Sequence, residues 1–313
     1  MASERIETNR SSKIPAVVAI VAILVISLYS AYTINGVFTS NAVTTTVQFT
    51  LGTAERNIEY CNSQTLDLYI PTGSSSTIRL LPLVIYVHGG GMASGDKTDL
   101  NPVFLNALAA TGYAVASINY RLAPQYKFPA QIEDVKCAIR YLRANAQTYG
   151  VNASEILAFG TSAGGQLVAI AALTGSSSLF DVGAYANQSS SIKAAVDMFG
   201  PANVTSCGCY STPQEVFGSQ ANVMLASPTH YVAANAPPLL IIQGMNDTTV
   251  SESQSVELYN QLRDVGDQTQ LVLVQNMGHM FAQVGPQPID PSLVQIAQEM
   301  VSFFGNYTQG AGG

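Results

Sequence analysis

The sequence predicts an α/β fold, with a mostly parallel central sheet covered by helices on both faces. Three observations predict it. From Leu83 to near the end of the chain, strand-like and helix-like segments alternate. The strand-like segments are continuous apolar runs with β-branched residues, the pattern of strands buried on both faces. The chemically distinctive short motifs all follow such runs, at the strand ends where sheets of this kind bind ligands.

The elements follow in order. Leu66–Ile70 reads as a strand closed by Pro71-Thr72-Gly73, and Leu83–Val87 as a buried strand. Phe104, Leu105, Leu108 and Ala109 share one face of a short helix that Gly112 ends. Tyr113–Ile118 is the next strand. A helix from Ile132 to Tyr149 carries Val135, Ile139 and Leu142 on one stripe. Ile156–Phe159 is a strand running into Gly160, and Gln166–Leu173 a helix stopping at Gly175. Strands are expected at Ala194–Phe199, Leu239–Gln243 and Leu271–Val274, with helices at Val256–Leu262 and Leu293–Phe304. Residues 200–237 form the one insertion large enough for a lid.

Composition narrows the function. Of 313 residues, 47% are hydrophobic and 11% charged, with a net charge of −7, so no basic face is expected for nucleic acid. Residues 14–32 carry no charge and reach roughly the ~30 Å of a bilayer core. Arg5, Arg10 and Lys13 precede the run, which favours N-terminus in and body outside. We therefore read 1–13 as a cytoplasmic tail, 14–32 as a signal-anchor contacting the membrane, and 33–54 as an uncharged tether with Val43–Phe49 a candidate first strand. The folded body is expected over 55–313. A cleaved secretory signal is the alternative. Asn152, Asn187, Asn203, Asn246 and Asn306 begin N-x-S/T sequons, weak support for export in so Ser/Thr-rich a chain. Of four cysteines, Cys137 lies on an apolar helical face and is expected as a buried thiol. A bridge from Cys61 to Cys207 or Cys209 is open to the chain, and the sequence does not choose between them; no metal site is expected, because no second pair or nearby His completes four ligands.

Gly160-Thr161-Ser162-Ala163-Gly164 is a G-x-S-x-G element between an apolar strand and an apolar helix. Such a turn exposes a serine hydroxyl, and a side chain at 160 or 164 would collide with its neighbours. His88-Gly89-Gly90-Gly91 follows the strand ending at Val87. Consecutive glycines let backbone amides approach a developing oxyanion, so Gly90, Gly91 and Ala163 are the candidate donors. A phosphate cradle would need a following lysine that is absent. A serine nucleophile needs a base. Of three histidines, His88 belongs to the glycine loop and His230 to the lid, which leaves His279 in Gly278-His279. Asp247, just past the Leu239 strand, is the candidate acid, ahead of Glu252 and Asp267. The chain order Ser162, Asp247, His279 fits this fold class.

From about Leu66 to Phe304 the chain resembles the α/β-hydrolase carboxylesterases of the hormone-sensitive-lipase-like and bacterial feruloyl-esterase-like (BD-FAE) type. The stretches that carry the resemblance are His88–Gly91, Asn119-Tyr120-Arg121-Leu122-Ala123-Pro124 with Phe128-Pro129-Ala130, Gly160–Gly165, Asn246-Asp247 and Gly278-His279. It implies an α/β-hydrolase fold, ester hydrolysis without a cofactor, an oxyanion hole of Gly90, Gly91 and Ala163, and scaffold roles for Arg121 and Asp134. Met92 departs from the aromatic residue usual after the glycines. No helical cap precedes the first strands, and the small lid suggests an open site for short acyl groups. The rival expectations are a prolyl-oligopeptidase-like peptidase, an arylformamidase-like amide hydrolase, and an inactive surface binding protein. The missing propeller and the His-Gly-Gly-Gly loop speak against the peptidase, and the filled triad positions against the inactive protein.

Overall fold

The computed structural model describes residues 49–73 and 80–308. The expected tail at 1–13, the anchor at 14–32 and the tether up to residue 48 lie outside them. Among the described residues no helix is long and apolar enough to cross a membrane.

The strands are β1 (Phe49–Glu59), β2 (Thr65–Gly73), β3 (Leu81–Val87), β4 (Ala114–Ile118), β5 (Val151–Thr161), β6 (Ala195–Met198), β7 (Leu239–Gly244) and β8 (Thr269–Val274). They form one sheet in the order β1-β2-β4-β3-β5-β6-β7-β8. β2 is antiparallel to both β1 and β4, and every pairing from β4 to β8 is parallel. Two expectations need correction here. Of the candidate first strand only Phe49 is described, and it opens an eleven-residue strand that takes in the end of the expected tether. Pro71-Thr72-Gly73 extends β2 instead of ending it. The β4 pairing stops at Tyr69, so the missing N–H of Pro71 interrupts no ladder on that side, while β1 pairs on to Gly73.

The longer helices are α1 (Pro102–Ala110), α2 (Ala130–Ala144) and α3 (Ala163–Leu173). Short helices α4 (Val204–Cys207), α5 (Pro213–Val216) and α6 (Gln220–Leu225) lie in the β6–β7 connection, and α7 (Glu252–Asp264) and α8 (Leu293–Gly305) follow. α2 ends five residues before Tyr149, because Asn145 turns its amide onto Tyr141 O (2.8 Å) and the chain leaves through Gly150 at φ 65°.

Strand periodicity divides the core. Leu83, Ile85 and Val87 face one layer, packed with Ile132 and Ile139 of α2, Leu167 of α3 and Leu258 of α7. Val84 and Tyr86 face the other, with Phe104 and Leu108 of α1 and Met300 and Phe304 of α8. This two-sided burial is why the strands read as unbroken apolar runs. Each fully buried Leu, Ile or Phe contributes about 1.5–3 kcal/mol.

The cysteines form two pairs, one of which corrects the reading of Cys137. Cys137 is not a thiol: it bonds Cys61, whose turn between β1 and β2 lies over α2 with a Cα separation of 6.4 Å. Cys207 bonds Cys209 across Gly208, whose left-handed φ of 63° folds the chain back on itself. By loop-closure entropy, joining positions 76 apart stabilises by about 4–5 kcal/mol and joining positions two apart by under about 2.

One buried acid has little compensation. Asp197, at the end of β6, accepts a hydrogen bond from Gly200 N (2.9 Å) through Oδ1, and its Oδ2 has no partner among the described residues. Burial pushes its pKa from 3.8 up to about 7, against the opposing Gly200 amide. The folded value lies above the unfolded one, so stability falls as pH rises from about 4 through about 7, by up to ~4 kcal/mol at about 1.4 kcal/mol per unit. We expect Asp197→Asn to gain at least ~2 kcal/mol relative to wild type between pH 5 and pH 8 in urea denaturation. An equal gap at both pH values would contradict this.

Candidate active site

Ser162 stands between β5 and α3 with φ 53° and ψ −123°, a conformation that side-chain-bearing residues rarely hold without support. The support is local. Ser162 N donates to Met198 O (2.9 Å), and Ser162 O accepts from Gln166 N (3.0 Å). A Cβ on Gly160 would fall 2.3 Å from the Gly164 carbonyl, and one on Gly164 only 2.1 Å from Val87 O. The glycines of the motif therefore let the turn close against β3. The arrangement is the strained strand-turn-helix that the sequence predicts.

The other two candidates converge on this serine. His279 Nε2 lies 2.9 Å from Ser162 Oγ, and His279 Nδ1 lies 2.7 Å from Asp247 Oδ2. Asp247 follows β7, where its Oδ1 accepts from Thr249 N (2.8 Å) and Val250 N (2.9 Å). Burial raises its pKa, but the His279 hydrogen bond and the two amides outweigh this and hold the carboxyl below its usual value. Because Asp247 accepts at Nδ1, that nitrogen carries the proton and Nε2 presents its lone pair to the hydroxyl. His279 follows β8, and its ring meets Phe199 edge-on at 5.1 Å, which limits its rotation. Glu252 opens α7, and Asp267 instead accepts from Asn235 N and Ala236 N. His230 stands edge-on to Tyr231 in the turn Pro228–Tyr231.

The glycine loop closes the site from β3. Ala93 N and Ser94 N both donate to Gly90 O, and the Tyr120 hydroxyl donates to His88 O (2.9 Å) and Gly89 O (3.1 Å). Gly90 has φ 96° and a Cβ there would lie 2.2 Å from Ser94 O, so glycine is required. Neither Gly90 N nor Gly91 N donates to an acceptor among the described residues, and both glycines line the same cavity as Ser162. Ala163 N opens α3, at the helix end whose first amides lack intrahelical acceptors. His88 is buried, stacked on Tyr120 at 4.2 Å, with Nδ1 donating to Gly89 O (2.8 Å). Burial pulls its pKa down against that bond. Neither His88 nor the Arg121–Asp134 pair (2.8 Å) lines the cavity that holds Ser162. Met92 is fully buried in the core and is not among the residues lining the cavity.

The cavity holds about 420 Å³ and reaches residues that no motif marks: Ser94, Asp99, Pro201, Cys209, Tyr210 and Thr249. Pro201, Cys209 and Tyr210 come from the β6–β7 connection. Tyr210 Oη donates to Gln166 Oε1 (2.5 Å), and Gln166 Nε2 donates to Ala226 O (2.5 Å), tying that connection to α3. Only the insertion's position hinted at these contacts; nothing in residue type or spacing separated Tyr210 from the chain's other tyrosines. Among the described residues no group of three His, Cys, Asp or Glu is placed to hold a metal.

Comparisons with known proteins find esterases both by sequence and by structure. Esterase LipC of Mycobacterium tuberculosis is 31% identical over 226 residues, 66% of this chain and 55% of LipC. The probable carboxylic ester hydrolase LipM of the same organism is 30% identical over 199 residues, 60% of this chain and 46% of LipM. The chain spans about half the length of the curated relatives it matches. A truncated carbohydrate esterase from gut microbiota superposes with TM-score 0.71 at 28% identity, covering 82% of this chain and 97% of the other. Esterase 2 of Thermogutta terrifontis, phosphorylated by paraoxon, superposes with TM-score 0.66 at 25% identity, covering 80% and 92%. The fold is the α/β-hydrolase fold. The BD-FAE family model matches residues 66–262, well over half of the sequence, and the chain belongs to that family.

Proposed function

We propose that this protein is a serine carboxylesterase. The observation that carries the reading is the hydrogen-bonded series Ser162, His279, Asp247, with steps of 2.9 and 2.7 Å, opening on a cavity. Ser162 Oγ attacks the ester carbonyl carbon while His279 Nε2 takes its proton. Asp247 holds the proton on Nδ1 and stabilises the imidazolium. The carbonyl oxygen becomes an oxyanion held by the amides of Gly90, Gly91 and Ala163. His279 then protonates the departing alcohol, leaving an acyl group on Ser162. Water, activated by the same imidazole, releases the acid and restores the serine. The esterase names of LipC and LipM support ester over amide bonds, and the intact series supports an enzyme over an inactive binder.

A cavity of about 420 Å³, walled by Pro201, Cys209 and Tyr210, suits short acyl groups better than fatty chains. Ser94, Asp99 and Thr249 give its lining polar atoms that suit a hydroxyl-rich alcohol half, and the structurally similar carbohydrate esterase supports that choice. The signal-anchor at 14–32 would hold the domain outside the cytoplasm. The pairs Cys61–Cys137 and Cys207–Cys209 support that location, since disulfides persist in oxidising compartments.

Ser162→Ala should lower kcat by about 10⁶ and Asp247→Asn by about 10⁴. A fluorophosphonate probe should label wild type but not Ser162→Ala; a near-normal rate in that variant would end the proposal. Turnover of p-nitrophenyl acetate and butyrate should exceed that of the palmitate by at least about 100-fold, given the walled cavity. Comparable rates across the three esters would remove the short-acyl assignment.

A further inference from the structure

The Cys207–Cys209 disulfide takes no part in the chemistry above, yet Cys209 lines the same cavity as Ser162. Its two positions are separated by one residue, so it removes little freedom from the unfolded chain and is a weak staple. Its local effect is larger. Among the described residues, the backbone of Gly208, Cys209 and Tyr210 makes no hydrogen bond. The segment is held by the disulfide, by the Tyr210 hydroxyl on Gln166, and by the Tyr210 ring edge-on to Phe217 at 4.9 Å. The disulfide is therefore what fixes Cys209 itself. The pair is also reachable: both cysteines are half-buried, Gly208 is exposed, and a Cβ on Gly208 would meet nothing within 4 Å.

We propose that Cys207–Cys209 is a reversible redox-modification site that sets the rigidity of the substrate wall, and with it substrate affinity. This rests on the esterase reading. A dithiol reductant attacks one sulfur as a thiolate, breaking the S–S bond and forming a mixed disulfide. The reductant's second thiolate then displaces the cysteine. Two electrons and two protons pass to the protein, leaving thiols at 207 and 209 and the reductant oxidised to its own disulfide. With the ring open, the Cys209 wall must be ordered by each incoming substrate, and preorganisation is lost from binding while the series at Ser162 is untouched.

The test is a dithiothreitol titration of the air-oxidised full-length protein. Alkylation and peptide mass mapping follow each cysteine, and p-nitrophenyl butyrate reports kcat and KM. Where Cys207 and Cys209 become alkylated but Cys61 and Cys137 do not, KM should rise about threefold or more with kcat held within about twofold, as lost preorganisation requires. Re-oxidation should restore it. Cys207→Ser breaks the bridge without altering a cavity-lining residue, and should show the raised KM and no response to the reductant. An unchanged KM on opening would overturn the proposal, as would alkylation of Cys207 and Cys209 without reductant, opening of Cys61–Cys137 first, or a Cys207→Ser protein that still responds. If Cys207→Ser does not fold, the wild-type titration alone decides. Absence of both turnover and fluorophosphonate labelling in the oxidised protein marks failure of the esterase reading, and the proposal falls with it.

Discussion

The site depends on how closely α3 approaches the end of β3. A Cβ on Gly164 would stand 2.1 Å from Val87 O and 2.5 Å from His88 O, closer than real Cβ atoms come. Only a bare α-carbon lets the helix sit there. That approach places the first amide of α3 beside the glycine loop that leaves β3, so that the hydroxyl of Ser162 and the amides of Gly90 and Gly91 share one cavity. Ser162 takes its unusual backbone conformation in the same turn, where Met198 O accepts from the Ser162 amide. Nucleophile, amide loop and sheet are thus one mechanical unit.

Two buried aspartates near that unit show how partners decide charge. Asp197 lies near the end of β6 and Asp247 in the loop after β7, and both are under 10% exposed. Asp247 accepts two backbone amides and the His279 ring, and stays ionised below its usual range. Asp197 accepts a single amide, and burial prevails. Desolvation acts on both; the number of donors separates them. The proposed mechanism requires an anion at Asp247 and has no use for one at Asp197.

Much of this was legible in the sequence because the parallel sheet imposes strong local patterns. Strands buried on both faces give unbroken apolar runs, and their ends mark where Ser162, Asp247 and His279 stand. The glycines at 90, 160 and 164 are readable because close backbone approach excludes every other residue type. What was not legible depends on contacts between distant segments. The Cys61–Cys137 pairing follows from the β1–β2 turn lying over α2, which no spacing encodes. Pro71 reads as a strand end but sits past the reach of its β4 neighbour. Tyr210 entered the cavity wall through the path of the β6–β7 connection, and Met92 was drawn away from it into the core.

The strand order distributes the three hydrogen-bonded residues unequally. Ser162 leaves β5 in the middle of the sheet, where every strand residue from Glu155 to Thr161 is buried, while His279 leaves β8, which ends the sheet and is half-exposed along most of its length. Boundary strands open more readily than central ones. Detachment of β8 would carry the imidazole away while the serine stayed on its turn, so the proposed chemistry leans on the edge of the sheet as much as on its centre.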